Sequence, residues 1–277
     1  MVGAHHICLI VVFYHPSEEQ IAFYHSLADQ GLNVIIVDNS SKSLEGLSAI
    51  YIPLGHNRGI AAAQNVGIAE AKKRGFEYIV FFDQDSQFEV SYISSILDEY
   101  NTIKQQDPSI ATLGPLLIDS RTNQEYLSNI KPSVPYSIDT HIISSGSIVE
   151  TKTFEKVGLY EERLFIDLVD SEWCWRARKY GLNTYMTRRV KLYHSMGQTY
   201  HHLGRFAYGL SAPWRYYYQY RNAIWMLRRD YVPFRWKYRT IIRRLFDLVF
   251  YPVMAPEKKM DILRNMLKGI RDGLKML

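Results

Sequence analysis

The chain has 277 residues, 47% of them hydrophobic and 22% charged, and this balance excludes an intrinsically disordered protein. A chain of this length can bury a sizeable core, in one large domain or a domain with an extension. The net charge of +5 is uneven: residues 1–200 carry 17 Lys and Arg against 23 Asp and Glu, whereas residues 201–277 carry 16 against 5. The basic, aromatic tail predicts an anionic partner, either nucleic acid or anionic lipid.

Strand and helix patterns alternate through the first half of the chain. Apolar runs predict strands at residues 7–13, 33–37, 50–54, 77–82 and 110–114. Between them, the patterns predict helices at residues 17–30, 60–74 and 92–103. Ser17 and Gln20 have the spacing of an N-terminal cap, and Gly75 is placed to end the second helix. Strands joined by helices of this length indicate an α/β fold with a mostly parallel sheet.

The second half is less regular. Residues 119–139 predict a loop or a strand pair at the sheet edge, and residues 141–150 a further strand. Residues 170–180 have the pattern of an amphipathic helix, and residues 183–187 that of a short strand. From about Gln198 onwards the pattern is helical, with breaks expected at Pro213, Pro233, Pro252 and Pro256.

Two cysteines, Cys8 and Cys174, stand in apolar surroundings far apart in the sequence. Neither a disulfide framework nor a zinc site follows from this spacing, and a reducing compartment is expected. The apolar run at residues 7–13 lacks the basic start and the cleavage site of a signal peptide. Uninterrupted apolar runs are also too short for a membrane span, so we expect the protein on the cytoplasmic side.

The most informative motif is Asp83-Gln84-Asp85-Ser86, which directly follows the apolar strand at residues 77–82. Open α/β sheets bind their ligands at the carboxyl ends of the strands. One carboxylate can bind a divalent cation while the other binds a sugar or a metal-bound water, and such hard oxygen ligands suit Mg²⁺ or Mn²⁺. The alternative is an acidic turn that merely ends a strand.

Two polar segments follow other strands. Asp38, in Val37-Asp38-Asn39-Ser40-Ser41, could accept the imide N–H of a pyrimidine base, although Asp-Asn-Ser is also ordinary turn chemistry. The segment from Asn57 through Gly59 and Asn65 to Ile68 begins a helix with small residues. Such a helix can approach either a nucleotide or the sheet closely. The segment does not have the spacing of a P-loop or of a dinucleotide fingerprint.

The segment at residues 165–173 places three carboxylates at the start of a helix. Asp170 is either its N-cap or a general base that deprotonates an attacking hydroxyl, with Asp167 lining the sugar pocket. Ser145 and Gly146 would leave room for a sugar ring, but a strand bend explains the glycine equally well.

Histidine and arginine provide further candidates. His194 could complete the coordination of a metal held by Asp85, although a lone histidine is more often structural. Within the aromatic segment at residues 214–229, arginines could clamp phosphates or form a solvated face near lipid: Arg215, Arg221, Arg228 and Arg229.

These motifs, in this order, resemble those of the inverting nucleotide-sugar glycosyltransferases with the GT-A fold (family 2). Within that family the chain is most similar to the bacterial rhamnosyltransferases, over about residues 7 to 275. The resemblance rests on the following segments: Phe13 to Pro16, Val37 to Ser41, Asn57 to Ile68, Phe82 to Ser86, Ser145-Gly146, Asp170 to Arg178 with Gly181, His194 to Gly197, Tyr220 to Asn222, and Lys268 to Gly273. The Asp-Gln-Asp-Ser motif and the stretch from Phe165 to Cys174 are what point to rhamnose.

The resemblance implies roles for the matching residues. Asp170 would be the catalytic base, and Asp85 and His194 would hold Mg²⁺ or Mn²⁺. The residues that would bind the nucleotide sugar are Tyr14, Asp38, Asn57, Gly59, Asn65, Asp83 and Arg221. Those that would line the acceptor or sugar pocket are Ser145, Gly146, Asp167 and Trp173. Many relatives have Glu-Asp where this chain has Val169-Asp170, and Asp167 is the candidate to compensate for the missing carboxylate.

The resemblance also implies an organisation and a reaction. Residues 1–200 would form the nucleotide-sugar-binding catalytic domain. The mixture of basic and apolar residues in residues 201–277 predicts a helical region for membrane association or dimerisation. The expected donor is dTDP-rhamnose and the acceptor a lipid-linked glycan or cell-surface polysaccharide, with a UDP-sugar donor as the alternative. The expected location is peripheral, on the inner face of the bacterial plasma membrane. A non-catalytic nucleic-acid-binding protein is the remote alternative, because the acidic motifs would repel phosphates.

Overall fold

A computed structural model describes the chain except for residues 1–5, 120–122, 127–132, 195–198, 204–205 and 277; for residues 126, 194, 199–203 and 206–208 it describes the backbone alone. The chain divides into two compact units. The first comprises Met1–Phe165 and Val169–Ser195, and the second Ile166–Leu168 and Met196–Leu277. The sequence predicts a boundary at residue 200, whereas the contacts divide the chain just before it and assign Ile166–Leu168 to the second unit.

In its described part, the first unit consists of a mixed sheet with helices. The strands are β1 Ile7–Phe13, β2 Asn33–Asp38, β3 Ile50–Pro53, β4 Tyr78–Asp83, β5 Ile110–Asp119, β6 Glu125–Tyr126, β7 Tyr136–Ile138, β8 Ile148–Glu150 and β9 Asn183–His194. The helices are α1 Glu18–Asp29, α2 Ile60–Lys73, α3 Ser91–Gln106, α4 Thr153–Val157 and α5 Val169–Lys179.

The strand order is β3-β2-β1-β4-β8-β5-β9-β7, with β6 beside β5. The four strands from β3 to β4 are parallel, β8 is antiparallel to both of its neighbours, and β9 is parallel to β5. In this register Phe13 lies opposite Asp38 and Val12 lies opposite Asp83. The carboxyl ends of β1, β2 and β4 therefore meet at one edge of the sheet, as the predicted α/β fold requires.

The core explains why these segments form. All seven residues of β1 are buried, as expected for a parallel strand covered on both faces. Helix α2 packs tightly because it presents alanines and glycine: a Cβ added to Gly67 would lie 2.6 Å from Ile10 Cγ2. The cap of α1 is confirmed as a capping box, in which Ser17 Oγ accepts from the Gln20 N–H and Gln20 Oε1 accepts from the Ser17 N–H.

Three strand predictions in the first unit were wrong in their bounds. The strand predicted at 110–114 continues to Asp119 in β5, all of it buried. The strand predicted at 141–150 is confined to β8, because Gly146 takes a φ of +78° and bends the chain before it. The strand predicted at 183–187 continues to His194 in β9. Its second half alternates exposed Arg189 and Lys191 with buried Val190 and Leu192, which is a strand pattern concealed by its basic residues.

The second unit begins with a hairpin rather than with a helix. Strands β10 Thr199–Leu203 and β11 Phe206–Leu210 pair antiparallel, so the prediction of helix from about Gln198 onwards was wrong in this stretch. Gln198 itself lies outside the described residues. Three helices follow: α6 Pro213–Leu227, α7 Phe234–Met254 and α8 Lys259–Lys275.

The prolines of the second unit mark its helix ends with one exception. Pro213 begins α6, Pro233 caps α7 and Pro256 lies between α7 and α8, whereas Pro252 lies inside α7. The predicted break at Pro252 was therefore wrong. Among the helices that the structure describes, none is both long enough and apolar enough to cross a membrane.

Candidate active site

The acidic motif lies at the carboxyl end of β4, where hydrogen bonds hold the Asp83 backbone and the Gln84 side chain. The Tyr24 hydroxyl donates to the Asp83 carbonyl at 2.8 Å, and Gln84 Oε1 accepts from the Tyr14 N–H at 2.7 Å. Burial, together with the Asp83 and Asp85 carboxylates, raises the pKa of Tyr24 well above its ordinary value. Tyr24 therefore remains a neutral donor beneath the motif. The Asp85 side chain is exposed, and Asp83 is half-buried.

Ser145 and Gly146 lie directly beside this motif. The Ser145 hydroxyl accepts from the Asp83 N–H at 3.3 Å and lies 2.7 Å from the Ser86 hydroxyl. The Gly146 N–H donates to the Phe81 carbonyl at 2.7 Å. A Cβ on Gly146 would lie 2.6 Å from the Tyr92 hydroxyl, so the bend requires glycine for both space and backbone conformation. The structure brings these two predicted residues to the motif, and their contact with a sugar remains a prediction.

Asp38 ends β2 at the same edge of the sheet, where it is fully buried. One of its carboxylate oxygens accepts from the Ser40 N–H at 2.8 Å and the other from the Tyr51 hydroxyl at 2.7 Å. Burial, reinforced by Asp38, raises the pKa of Tyr51 to about 12. Asp38 thus organises the turn after β2, and the predicted contact with a base requires Tyr51 or its surroundings to move. Sequence reasoning missed Tyr51.

The loop before α2 is held by Asn39, a second residue that sequence reasoning missed. Asn39 donates from Nδ2 to the Gly59 carbonyl at 3.1 Å and accepts the Arg58 N–H at 3.0 Å. Asn57 is exposed, and its side chain accepts from the Gly59 N–H at 2.9 Å. Gly59 has a φ of +85°, and an added Cβ would lie 2.6 Å from the Phe165 ring. Only glycine fits this position.

Asn65 connects α2 to the loop before α5. Its buried amide accepts from the Tyr160 N–H at 2.9 Å and donates to the Tyr160 carbonyl at 2.9 Å and to Glu162 Oε1 at 3.0 Å. Three partners from the protein occupy this amide, so the structure gives Asn65 a positioning role. Its predicted contact with the nucleotide is a separate proposal.

Asp170 lies in the first turn of α5, half-buried, and borders a cavity of about 10 Å³, the size that holds one water molecule. Ser144, Tyr160 and Cys174 line the same cavity. Burial raises the pKa of Tyr160 well above its ordinary value and that of Cys174 to about 12. Both groups remain protonated at neutral pH, which makes the Asp170 carboxylate the candidate base among these side chains.

Ser144 and Ser145 are consecutive, and they link the two parts of the candidate site within the first unit. Ser145 bonds to the acidic motif, whereas Ser144 lines the Asp170 cavity and accepts a hydrogen bond from Gln64 Nε2 at 3.1 Å. The two predicted carboxylate positions are therefore connected by one short, buried segment.

Trp173 borders the same cavity but is 1% exposed. Its indole N–H donates to the Gly158 carbonyl at 2.9 Å, and its ring packs 5.3 Å from that of Phe154. The neighbouring Glu172 forms a buried ion pair with Arg176 at 2.8 Å. These contacts hold α5, and with it Asp170, in place; a contact between Trp173 and a sugar remains a prediction.

In the second unit, Asp167 and Arg215 form a bidentate ion pair with a shortest distance of 2.7 Å. The fully buried Asn222 donates to the carbonyls of Ile166 and Asp167 at 2.7 and 3.0 Å. Asp167 and Leu168 both have a φ of +65°, a conformation that costs free energy unless the surroundings fix it. Helix α6 therefore clamps the strained segment that immediately precedes α5.

Arg221 belongs to this clamp. Its guanidinium donates to Asn222 Oδ1 at 2.8 and 3.0 Å and lies 4.8 Å above the Tyr218 ring. Asp167 also borders a polar cavity of about 340 Å³ within the second unit, together with Ser211, Gln219, Arg243 and other side chains. A pocket of this composition suits a polar ligand, and the role of Asp167 in a sugar pocket remains a prediction.

The donor set at the acidic motif fits a hard divalent cation. Two carboxylates at a strand end leave further coordination positions to diphosphate oxygens and water, which is the usual way in which proteins bind Mg²⁺. Within the described part of the chain, no three His, Cys, Asp or Glu side chains form a group that could hold a metal by themselves. The predicted ligand His194 ends β9, and its side chain lies outside the description.

Comparison with known proteins identifies the family. Residues 8–152, just over half of the chain, match the family model "Glycosyl transferase family 2", and the protein therefore belongs to glycosyl transferase family 2. The chain is 30% identical over 290 residues to "dTDP-rhamnosyl transferase RfbF" of Shigella flexneri, an alignment that covers 97% of this chain and 95% of that protein. The prediction of a glycosyltransferase is confirmed.

Solved structures confirm the GT-A fold. TarS of S. aureus matches with a TM-score of 0.59 at 14% identity, over 98% of this chain and 49% of that one. A structure of GalNAc-T7 with UDP, GalNAc and Mn²⁺ matches with a TM-score of 0.56 at 12% identity, over 98% and 56% of the two chains. This chain thus spans about half the length of either structure, and the similarity concerns the fold alone.

Proposed function

We propose that the protein is a metal-dependent inverting glycosyltransferase that moves L-rhamnose from dTDP-rhamnose to an acceptor hydroxyl. The observation that carries the proposal is the similarity to a dTDP-rhamnosyl transferase over nearly the full length of both chains. The acceptor we propose is a lipid-linked glycan or a growing cell-surface polysaccharide at the inner face of the bacterial plasma membrane. Nucleic acid is not among the proposed partners.

The donor would bind at the sheet edge formed by β1, β2 and β4. Asp83 would contact the ribose or the sugar, the backbone around Tyr14 and Gly59 would border the nucleotide, and Arg221 would contact the diphosphate. Asp85, with His194, would hold Mg²⁺ or Mn²⁺. When bound, the cation would neutralise the charge that develops on the departing diphosphate.

The chemistry of the protein's own residues centres on Asp170. In the proposed reaction its carboxylate takes the proton of the acceptor hydroxyl, and the oxygen attacks the anomeric carbon from the face opposite the leaving group. One C–O bond forms while the bond to the diphosphate breaks, so the configuration inverts. The protonated Tyr160 and Cys174 would not compete for this proton, because burial raises the pKa of both groups.

A panel of nucleotide sugars would test the donor. With Mg²⁺ or Mn²⁺ present, we expect dTDP-rhamnose to raise the melting temperature more than UDP-glucose, UDP-N-acetylglucosamine or UDP-galactofuranose. Thymine and uracil both present an imide N–H, so Asp38 does not by itself select between them. Selective stabilisation by a UDP sugar would replace the rhamnose proposal with the alternative donor. Transfer to purified acceptor, followed by mass spectrometry, completes the test.

A further inference from the structure

In helix α7, the usual burial of apolar side chains and exposure of charged ones is reversed. Among its 21 residues, the one that is buried is an aspartate, Asp247, which lies 3.2 Å from Arg244 and 3.7 Å from Arg243. Its large apolar side chains are instead open to solvent: Phe234, Tyr238, Ile241, Ile242, Leu245, Phe246, Val249 and Val253. Phe234 is 82% exposed and Val249 is 68% exposed, and eight large apolar side chains exposed on one helix are more than the single exposed residues of an ordinary surface.

The exposed residues form one continuous face. At about 100° per residue, they fall within an arc of roughly 140° on the helix, the width of an apolar stripe that normally faces a core. Arg235, Arg239 and Arg243 follow one another every four residues, in a row that crosses one border of this face from inside to outside, and all three are exposed. The result is a helix with an apolar face flanked by a row of cations.

An apolar groove continues this face. It has a volume of about 180 Å³, its accessible wall is apolar, and Ile241 and Leu245 of α7 line it together with Ile224, Leu227 and Ile270 of α6 and α8. All of these residues belong to the second unit. Tyr220, Thr240 and Arg244 also line the groove but expose no polar surface to it. An apolar wall suits a hydrocarbon chain better than a peptide, whose backbone would need hydrogen-bond partners.

We infer that α7 is a membrane-docking helix that lies in the plane of an anionic lipid surface. Its apolar face enters the boundary between headgroups and acyl chains, and the groove beside Ile241 accepts the end of one acyl chain. Arg235, Arg239 and Arg243 meet the lipid phosphates along the border of this face. This combination of apolar face and flanking cations is what binds helices to such interfaces. The inference depends on the second unit alone and holds whichever sugar the enzyme transfers.

Charge argues against a second copy of the chain as the occupant. Helix α7 contains five basic residues and one acidic residue, and that acidic residue, Asp247, is buried against Arg243 and Arg244. Two copies joined through this face would bring two arginine rows together without carboxylates from α7 to pair them. Lipid phosphates provide the missing negative charge.

Vesicle flotation of the full chain tests the inference. We expect the protein to float with vesicles of phosphatidylcholine and phosphatidylglycerol, to bind pure phosphatidylcholine far more weakly, and to be released by salt. The double variant Ile242→Glu/Val249→Glu changes two exposed positions outside the groove, and it should weaken partitioning at least about tenfold. Arg235→Gln/Arg239→Gln should weaken it roughly 25-fold, on anionic vesicles only.

The matched control is Leu159→Glu/Tyr180→Glu, which places the same charges at two exposed apolar positions of the first unit. It should float as the unmodified protein does. Equal flotation of the unmodified protein and the α7 glutamate variant would overturn the inference. A dimer in analytical ultracentrifugation that this variant dissociates, without any vesicle binding by the unmodified protein, would overturn it in favour of a second copy.

Discussion

Helices α2 and α7 use apolar residues in opposite ways. In α2, eight residues are buried and small side chains bring the helix against β1. In α7, eight large apolar residues are exposed and the buried residue is an aspartate. Similar hydrophobic content thus builds a core in the first unit and an external surface in the second.

The difference separates two tasks within one chain. The first unit positions carboxylates at the edge of a rigid sheet, and we assign the chemistry to it. The second unit clamps the segment before α5 and presents α7, and we assign positioning and docking to it. Substitutions in the two units should therefore change different measurements, and the predictions below test that separation.

The largest effect is expected for Asp170→Asn. The substitution retains the size of the side chain but removes the proton acceptor, so turnover should fall by about a thousandfold, as for the loss of a general base. The affinity for the nucleotide sugar, measured by calorimetry, and the vesicle binding should not change. Initial rates of transfer to purified acceptor provide the measurement.

The control for this variant is Asp98→Asn, at an exposed position of α3 in the same unit. Its turnover should equal that of the unmodified enzyme. If Asp170→Asn retained turnover within about threefold, Asp170 would not be the base, because that difference is under 1 kcal/mol of transition-state stabilisation.

A smaller effect is expected for Asn222→Ala. The buried amide holds the carbonyls of Ile166 and Asp167, and Asp170 follows three residues after Asp167. Its loss should reduce kcat about tenfold, because the base is displaced, and should also raise the KM for the donor, because Asn222 Oδ1 accepts hydrogen bonds from the Arg221 guanidinium that we assign to the diphosphate. The unfolding free energy should fall by about 1–3 kcal/mol.

Steady-state kinetics at varied donor concentration separate the change in kcat from the change in KM, and urea unfolding measures the change in stability. Asn101→Ala, on α3 of the first unit, is the control and should leave kcat unchanged. An Asn222→Ala enzyme that lost stability but kept full kcat would show that the clamp serves folding alone.

The smallest effect concerns stability and pH. Hydrogen bonds from Ser109, and then from Asn183 and Tyr185, hold the pKa of Asp107 below its ordinary value. A carboxyl group with a lowered pKa stabilises the fold at pH values above its pKa in the unfolded chain, roughly 3.9. This stabilisation is lost as the pH falls through the pKa of the folded state. Asp107→Asn should therefore reduce the unfolding free energy by about 1 kcal/mol at neutral pH, since Asp107 is only partly buried.

Urea unfolding at a series of pH values measures this difference. The difference in unfolding free energy between Asp107→Asn and the unmodified protein should become smaller as the pH drops below about 4. If this difference in unfolding free energy stayed constant down to acid pH, the charge of Asp107 would not be responsible. The geometry of its side chain would then stabilise the contact between the starts of β5 and β9.

The sequence predicted the fold best where the pattern was local. The capping box of α1 joins Ser17 and Gln20, which are three residues apart, and the helical pattern of α2 is likewise read from spacing along the chain, so residue types and spacing sufficed. The β10–β11 hairpin was missed because its pairing joins residues such as Thr199 and Leu210, whose types do not specify a partner. The true length of β9 was concealed because its exposed positions are basic.

The site was predictable in its residue types but not in its contacts. The carboxylates after β2 and β4 follow from strand ends, and the resemblance to a family supplied their roles. The partners that hold them, such as Tyr51 on Asp38 and Asn39 on Gly59, are distant in the sequence and could not be deduced. The exposure of the apolar residues of α7 likewise required the structure, because a buried helix has the same pattern.

The cation site at the end of β4 is tested most directly by adding Mn²⁺ to the protein in the presence of dTDP. The paramagnetic resonance signal of free Mn²⁺ measures the binding, for the unmodified protein and for Asp85→Asn. We expect the unmodified protein to remove Mn²⁺ from solution in the presence of dTDP. The variant should require at least about tenfold more metal, since it loses a charged ligand. Identical titrations of the two proteins would contradict the assignment of Asp85 to the cation, and with it the site at the end of β4.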